Sequence, residues 1–473
     1  MTSLEQEKQE NARWKLRDSF RGIRVFDQLV DKEFLTLEEQ HKWTNNALQN
    51  VIRHAVLTVP YYRYLFEKLG LQTEDIRSPS DLPKLPLLGK REIYDHSRNL
   101  RSLRLPSGDH IVGTFSSSGT TGRPAKVVHT NRSNAMFSYL SHRQWRFMRA
   151  DPDSKLATIR LASQIPKTKG RELADGRVKR EPSWRYVGHF FHTGPSAYFN
   201  VTNPIEQQLE FLQNFQPAYV MSYPESLEHL AFASGTSLAG VDIAGVVAIS
   251  EQMTAEMRQR IGRVFSTKIC QTYGLNEIGL VAAMCDAGRY HVHTEHCVVE
   301  LINEDNQPCR AGEIGQIVVT ALNNSAMPLI RYDTDDLAEA VSAECPCGRT
   351  LPSFGRVYGR YSRIAYLPQE TLWQVGIIRE AIESNPDELA KNLRQYQIYQ
   401  HRDKSFEVRL ACKAPLPAQF TQNIWRKWVE SGCGSIGLTF LLVDHIPRGP
   451  GGKYQEFDSE YYPRDSNDKV IRT

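Results

Sequence analysis

At 473 residues the chain exceeds the length over which one hydrophobic core keeps growing, so two or more domains are expected. A composition of 40% hydrophobic and 24% charged residues, with 58 basic against 54 acidic side chains and a net charge of +4, is that of an ordinary soluble protein and argues against nucleic acid as the main partner. No apolar run approaches the roughly 20 residues that span a bilayer, the first residues are polar, and eight scattered cysteines outline no disulfide framework. The expectation is a cytoplasmic protein with no membrane partner.

Residues 35–70 place apolar side chains at mixed three and four spacings, which predicts helices interrupted at Pro60. Leu82-Pro83-Lys84-Leu85-Pro86-Leu87-Leu88 cannot form a helix interior and reads as a linker into a catalytic core. A strand at 111–115 precedes a Ser/Thr/Gly loop. The segment 167–180, with six Lys or Arg residues among few apolar ones, predicts a mobile, solvated loop. Further on, apolar runs at 218–221, 246–249 and 317–320 alternate with helical patterns such as 254–265, the signature of an α/β architecture with substantial sheet. After Arg360 a helical stretch near 386–396 and strand-like runs at 406–411 and 438–443 predict a small α+β domain, and no internal repeat is present.

The loop is Ser116-Ser117-Ser118-Gly119-Thr120-Thr121-Gly122-Arg123-Pro124-Ala125-Lys126. Hydroxyls and glycine-freed main-chain amides can wrap phosphate oxygens while a lysine adds charge. It is not a Walker A loop, because Lys126 lies four residues beyond Gly122. Downstream come Gln271-Thr272-Tyr273-Gly274-Leu275-Asn276-Glu277, then Arg331-Tyr332-Asp333-Thr334-Asp335-Asp336, then Gly359-Arg360, and last Ile446-Pro447-Arg448-Gly449-Pro450-Gly451-Gly452-Lys453. A flat aromatic suits a purine, a hard carboxylate suits Mg²⁺, and a lysine on a glycine-rich loop suits developing negative charge. Each segment alone is a commonplace turn, and the weight lies in finding all of them in this order.

Together these segments resemble the adenylate-forming superfamily. Ala125 before the lysine, with His54-Ala55, Val59-Pro60-Tyr61-Tyr62-Arg63 and Asp81-Leu82-Pro83-Lys84-Leu85-Pro86 upstream, is similar to its phenylacetate-CoA ligase-like and capsule-cluster branch. The resemblance covers nearly the whole chain, least well over 143–187. It implies an α/β fold with a large N-terminal adenylate-forming domain, a helical prelude at 1–105, an adenylation core at 106–360 and a small mobile C-terminal α+β domain at 361–473. It implies catalytic roles for Thr120, Glu277 and Lys453, with Glu277 ligating Mg²⁺. ATP or AMP would be held by Ser116, Ser117, Ser118, Gly119, Thr121, Gly122, Lys126, Ser250, Glu251, Tyr273, Gly274, Asn276, Asp336 and Arg360. In these roles Tyr273 stacks on adenine, Asp336 accepts from both ribose hydroxyls, and Arg360 marks the hinge of the small domain. Asn276 stands where the family has threonine, and Tyr361-Ser362 follow Arg360 without the acidic residues of the family's Gly-Arg-x-Asp-Asp hinge.

The implied activity is attack of a small carboxylic acid on ATP to give acyl-AMP and pyrophosphate, then transfer to a thiol, that of coenzyme A. Tyr198 and Phe199, in the segment 192–199, hint at an aromatic or apolar acid in the pocket. The alternatives are transfer to an acyl carrier protein or an amine, and a non-catalytic nucleotide-binding relative. A phosphotransferase would differ by releasing ADP. A homodimer is compatible with all of them.

Cys285, His291, Cys345 and Cys347 supply the soft sulfur and borderline nitrogen ligands of tetrahedral Zn²⁺, with His293 competing with His291. Four ligands would close the coordination sphere and make such a zinc structural. Cys270, Cys297, Cys309, Cys412 and Cys433 remain ungrouped.

Overall fold

Local sequence sets the helices of the N-terminal region: α1 (Ser3–Ala12), α2 (Val25–Lys32), α3 (Leu37–Thr58), α4 (Pro60–Leu69) and α5 (Lys90–Asp95). Thr36 caps α3 in a reciprocal pair, accepting from the Glu39 amide while its own amide donates to Glu39. Pro60 opens α4 in the first turn, where its missing N–H has no partner to lose, and Gly70 closes it at φ 64°. The computed structural model describes residues 3–20, 24–116, 126–233, 238, 240–250, 253, 255–303, 305–360, 378, 381–382, 385–446 and 457–460.

The Leu-Pro stretch expected to be a linker is instead tied to the sheet. The Leu88 amide donates to the Arg331 carbonyl at 2.9 Å and the Asp333 amide to the Leu88 carbonyl at 3.0 Å. Extended prolyl backbone still offers carbonyls and intervening amides, and here a strand edge takes them up.

A hairpin of β1 (Ile111–Ser116) and β2 (Lys126–Thr130) leads into α6 (Asn131–Phe147). Then follow β3 (Leu156–Arg160), β4 (Lys179–Glu181), β5 (Ser196–Asn200), α7 (Ile205–Phe215), β6 (Tyr219–Ser222), α8 (Pro224–Ala233), β7 (Gly245–Ala248), α9 (Ala255–Phe265) and β8 (Lys268–Leu275). After them come β9 (Gly279–Met284), β10 (Tyr290–Val292), β11 (Cys297–Ile302), β12 (Ile314–Ala321), β13 (Tyr332–Ala340) and β14 (Ser353–Arg360). Among the described residues, 12 strands form one sheet in the order β11-β12-β13-β14-β10-β9-β8-β7-β6-β3-β5-β4.

From β5 through β3, β6 and β7 to β8 the pairing is parallel, and beyond β8 the pair with β9 turns antiparallel. The parallel half has buried, apolar strands joined by helices, as parallel sheets require. Of the basic stretch 167–180, only its last two residues enter a strand, β4, and Lys167 and Lys179 pair with Glu172 and Glu181 near the surface.

The chain divides into two compact units, Met1–Gln252 with Ile261–Gly359, and Met253–Arg260 with Arg360–Thr473. In the second, β15 (Leu393–Gln400), β16 (Phe406–Cys412), β17 (Leu438–Val443) and β18 (Phe457–Ser459) pair in the order β17-β16-β15-β18. Phe420, Ile424 and Trp428, one helical stripe of Ala418–Glu430, are buried in this unit's core with Phe406 and Ile398. The helix expected near 386–396 is confined to Asp387–Ala390, and Leu393–Gln400 is strand. The alternation Gln395-Tyr396-Gln397-Ile398-Tyr399 has the two-residue period that suits pairing with β16.

A buried ion network anchors the first helices of the large unit. Glu33, fully buried, accepts from Arg143 at 2.8 Å, Arg349 at 3.1 Å and Arg146. Glu7 of α1 accepts from Arg146 at 2.6 Å and Arg349 at 2.5 Å, and Glu295 from Arg143 at 2.7 Å. Three carboxylates thus meet three guanidiniums, and removing one carboxylate strands buried positive charge. Glu33→Ala is expected to lower the unfolding free energy by about 3–5 kcal/mol. Denaturant titration checks this, and a change below about 1 kcal/mol, the worth of an exposed pair, would show that the network does not hold in solution.

Candidate active site

Among the described residues, Ser250 and the 273–277 segment lie at the carboxyl ends of parallel strands, where open α/β sheets present ligand crevices, and the 332–336 segment is bonded to the latter. Ser116 pairs with Lys126 at the open end of the β1–β2 hairpin, so the two ends of the phosphate-loop motif are held side by side, with Lys126 exposed. Ser250, exposed at φ 68°, follows β7, and Tyr273 and Gly274 end the neighbouring β8. Asn276 and Glu277 form the turn into β9, the first exposed and the second buried. Gly274 is needed here: a Cβ would lie 2.8 Å from the Gly279 carbonyl oxygen, at the point where the β8–β9 register shifts.

Two hydrogen bonds cross between the Tyr273–Glu277 and Tyr332–Asp336 segments. The Tyr273 hydroxyl donates to Asp336 Oδ2 at 2.8 Å, and the Tyr332 hydroxyl donates to Glu277 Oε1 at 2.9 Å. Burial, reinforced by the Asp336 charge, pushes the Tyr273 phenol well above its ordinary value, so it remains a donor. Its ring meets Phe354 edge-on at 5.9 Å. Arg331, the first residue of the same motif, is fully buried and binds Glu300, the Leu85 carbonyl and Asn306. It ties the prelude to the sheet.

The aromatic pair Tyr198-Phe199 is split. Successive strand residues face opposite ways, and Phe199 is stacked on Phe211 at 5.0 Å in the core, so the two cannot line one pocket. An aromatic wall that sequence reasoning missed lies nearer the turn. Phe137 of α6 meets Tyr186 edge-on at 4.7 Å, both partly exposed, and a Cβ on Gly279 would lie 3.9 Å from Phe137. Tyr186 has φ 67° and ψ −67°, a strained conformation for an aromatic residue, closed by the Val187 amide donating to the Arg185 carbonyl. No sequence spacing announces this wall, since 49 residues separate its members.

Cys285, His291, Cys345 and Cys347 present ligand atoms that all lie within 4.8 Å of one another. The Cys285 and Cys345 sulfurs are 3.7 Å apart, the edge of a tetrahedron built from bonds of about 2.3 Å. His291 Nδ1 lies 3.1 Å from the Leu351 carbonyl; a proton donated there leaves Nε2 bare toward Cys347 Sγ at 3.2 Å. Hydrogen bonding from Cys285 holds the Cys347 thiol well below its ordinary value despite burial. His293 does not compete for this cluster, because its Nδ1 lies 3.0 Å from Arg143 in the ion network. Arg349, two residues past Cys347, reaches both that sulfur and Glu33.

Ser117, Ser118, Gly119, Thr120, Thr121, Gly122, Glu251 and Lys453, and the side chains of Ser116 and Arg360, lie outside what the structure describes. No helix among the described residues is long and apolar enough to cross a membrane.

The architecture is that of the adenylate-forming CoA ligases. A 2-hydroxyisobutyryl-CoA ligase in complex with R3-HIB-AMP superposes with a TM-score of 0.70 over 92% of each chain, at 16% identity. By sequence the chain is a homologue of the phenylacetate-coenzyme A ligases. It is 27% identical to that of Thermus thermophilus over 456 residues, covering 89% of this chain and 96% of the relative. It is 26% identical to that of Escherichia coli over 337 residues, covering 69% and 72% of the two chains. No protein-family model matches.

Tyr332→Phe deletes a buried donor to a carboxylate. The expected loss of stability is about 1.5–3 kcal/mol, with the fold retained. Urea unfolding reads it, and an unchanged midpoint would mean the bond to Glu277 is absent in solution.

Proposed function

We propose that the chain is an AMP-forming acid–thiol ligase. A carboxylate oxygen attacks the α-phosphorus of ATP, the bond to the pyrophosphate oxygen breaks, and the acyl-AMP passes its acyl group to the thiol of coenzyme A with release of AMP. The crossed Tyr273–Asp336 and Tyr332–Glu277 pairs carry the reading, because they bring an aromatic face and two carboxylates together at the crevice end of the sheet. Homology over most of the chain supports it.

In this reading Ser116, Ser117, Ser118, Gly119, Thr120, Thr121 and Gly122 wrap the phosphates with hydroxyls and amides, and Lys126 adds charge at the rim. Tyr273 offers its ring to adenine, Asn276 an amide to the α-phosphate, Asp336 its carboxylate to the ribose, and Ser250 and Glu251 border the nucleotide. Glu277 would hold Mg²⁺, which when bound supplies positive charge to the phosphate oxygens. Lys453 meets the charge that develops during attack, and Arg360 approaches the ribose or phosphate from the hinge. An aryl carboxylic acid is the substrate class, supported by the Phe137–Tyr186 wall and by the relatives' names. Tyr198 borders that pocket. The eight cysteines are all free, which suits a reducing compartment such as the cytoplasm.

Exchange of labelled pyrophosphate into ATP, run with a panel of acids, tests the first half. Aryl acids are expected to drive it, and coenzyme A to discharge the product as acyl-CoA and AMP. Acyl-AMP that only a carrier thiol or an amine can discharge would replace the acceptor. Failure of every acid to drive exchange in a folded, ATP-binding preparation would leave a non-catalytic nucleotide binder.

Cys285, His291, Cys345 and Cys347 would hold a structural Zn²⁺, which when bound cross-links the β9–β10 hairpin to the loop before β14. Elemental analysis should find about one zinc per chain, lost in Cys345→Ser. Because Arg349 joins this loop to Glu7, the variant should also cleave faster within α1 under limited proteolysis. Equal zinc in both proteins would remove the assignment.

A further inference from the structure

Arg160 is the last residue of β3, at the carboxyl end of the parallel strands. Thr158 pairs with Tyr198 in register, so Arg160, two residues on, shares the face of the sheet that carries Tyr198 rather than that of the Phe199–Phe211 stack. Its Nε donates to Gln164 Oε1 at 3.1 Å, and the hydroxyl of Tyr223, just past the adjoining β6, donates to the same oxygen at 2.6 Å. The Gln164 carbonyl accepts from Arg185 Nη1 at 2.9 Å, and the Arg185 guanidinium lies over the Tyr186 ring, 4.8 Å from its centre. One glutamine thus holds Arg160 and ties it to the wall formed by Phe137 and Tyr186.

A guanidinium drawn into a protein is ordinarily paired with a carboxylate. Arg143, Arg146, Arg331 and Arg349 of the same unit all are. Among the described residues Arg160 has no carboxylate partner, and its side-chain hydrogen bond goes to the neutral Gln164. Asp175 makes no ion pair with it and is taken up by Asn200 Nδ2 at 2.8 Å. Arg160 is partly buried, yet neither of its terminal nitrogens is sealed away from solvent. Because Gln164 occupies Nε and fixes the plane of the group, Nη1 and Nη2 present two parallel donors, the fork that matches a carboxylate. β3 stands three strand intervals from β8, about 14 Å, a span that an arginine side chain and a one-ring diacid together cross toward the 273–277 turn.

We propose that Arg160 is a specificity-determining residue that binds a second carboxylate on the substrate, so that the acid activated is an aryl dicarboxylic acid. The Phe137–Tyr186 wall takes the ring, Arg160 takes the carboxylate that does not react, and the other carboxylate is adenylated. This rests on the reading of the site as an adenylation centre and narrows its substrate class.

The test is pyrophosphate exchange by the full chain with matched acids, benzoate against terephthalate and phenylacetate against 4-carboxyphenylacetate. The readout is the ratio of kcat/KM for diacid over monoacid, which a general loss of folding or of ATP binding does not move. In the unaltered protein the diacid of at least one pair is expected to be favoured by about tenfold or more. Arg160→Met, which keeps the apolar stem and removes the fork, is expected to lower that ratio by about a hundredfold. A monoacid used as well as its diacid in both pairs would overturn the proposal, and so would a ratio that Arg160→Met leaves unchanged. Should Arg160→Met fail to fold, Gln164→Glu, which sets a carboxylate on Nε and neutralises the guanidinium, must lower the ratio by at least about tenfold. An unchanged ratio there again overturns it. Exchange driven by monoacids and not by diacids defeats this proposal alone, whereas no exchange with any acid defeats the adenylation reading and this proposal with it.

Discussion

Two phenol-to-carboxylate hydrogen bonds hold the candidate site together. Tyr273 reaches from β8 to Asp336, and Tyr332 reaches back from β13 to Glu277. Neither motif can move without dragging the other. The carboxylates are kept in place by neutral donors, so their negative charge is not cancelled by an ion pair with these partners. That is the condition for a cation, a ribose or a phosphate-bound metal to compete for them.

The backbone that permits this crossing is the change from parallel to antiparallel pairing at β8. Parallel strands need a crossover helix and end in loops facing one side, whereas antiparallel strands return at once through a tight turn. At β8 both rules apply to one strand. Its amino-terminal part pairs with β7 under helix cover, and its carboxyl end turns sharply at Asn276 and Glu277. The Gly274 bulge and the positive φ of Gly279 bracket that turn, which is why the residues with chemistry sit on the shortest connection available.

At the end of β9 away from that turn, the cysteine loop and the N-terminal helices share one electrostatic knot. Arg349 reaches Cys347, Glu33 and Glu7, so the four-ligand cluster, α1 and α6 are braced by the same guanidinium. Desolvated charges are tolerated here because Glu7, Glu33 and the three guanidiniums each have two or more partners, and these pairs tie α1 to α6 and to the loop that carries Arg349.

By itself the sequence marked the candidate chemistry and set much of the local structure. Glycine, hydroxyl and carboxylate patterns marked the phosphate loop, the 273–277 turn and Asp336, and cysteine spacing marked the cluster, because turn conformation and ligand preference are properties of a few adjacent residues. The break at Pro60 was legible for the same reason. Tertiary structure alone decided the rest. It tied the Leu-Pro stretch to β13, turned 393–400 into strand through pairing with β16, and sent Phe199 into the core away from Tyr198. It chose His291 over His293 for the cluster, and set Phe137, with Tyr186 against it, beside Gly279 at the Glu277 turn. These outcomes hang on which distant strand supplies a hydrogen-bond edge and which distant side chain fills a face. A one-dimensional pattern carries no such information, because strand pairing and burial are properties of contacts between segments rather than of the segments themselves.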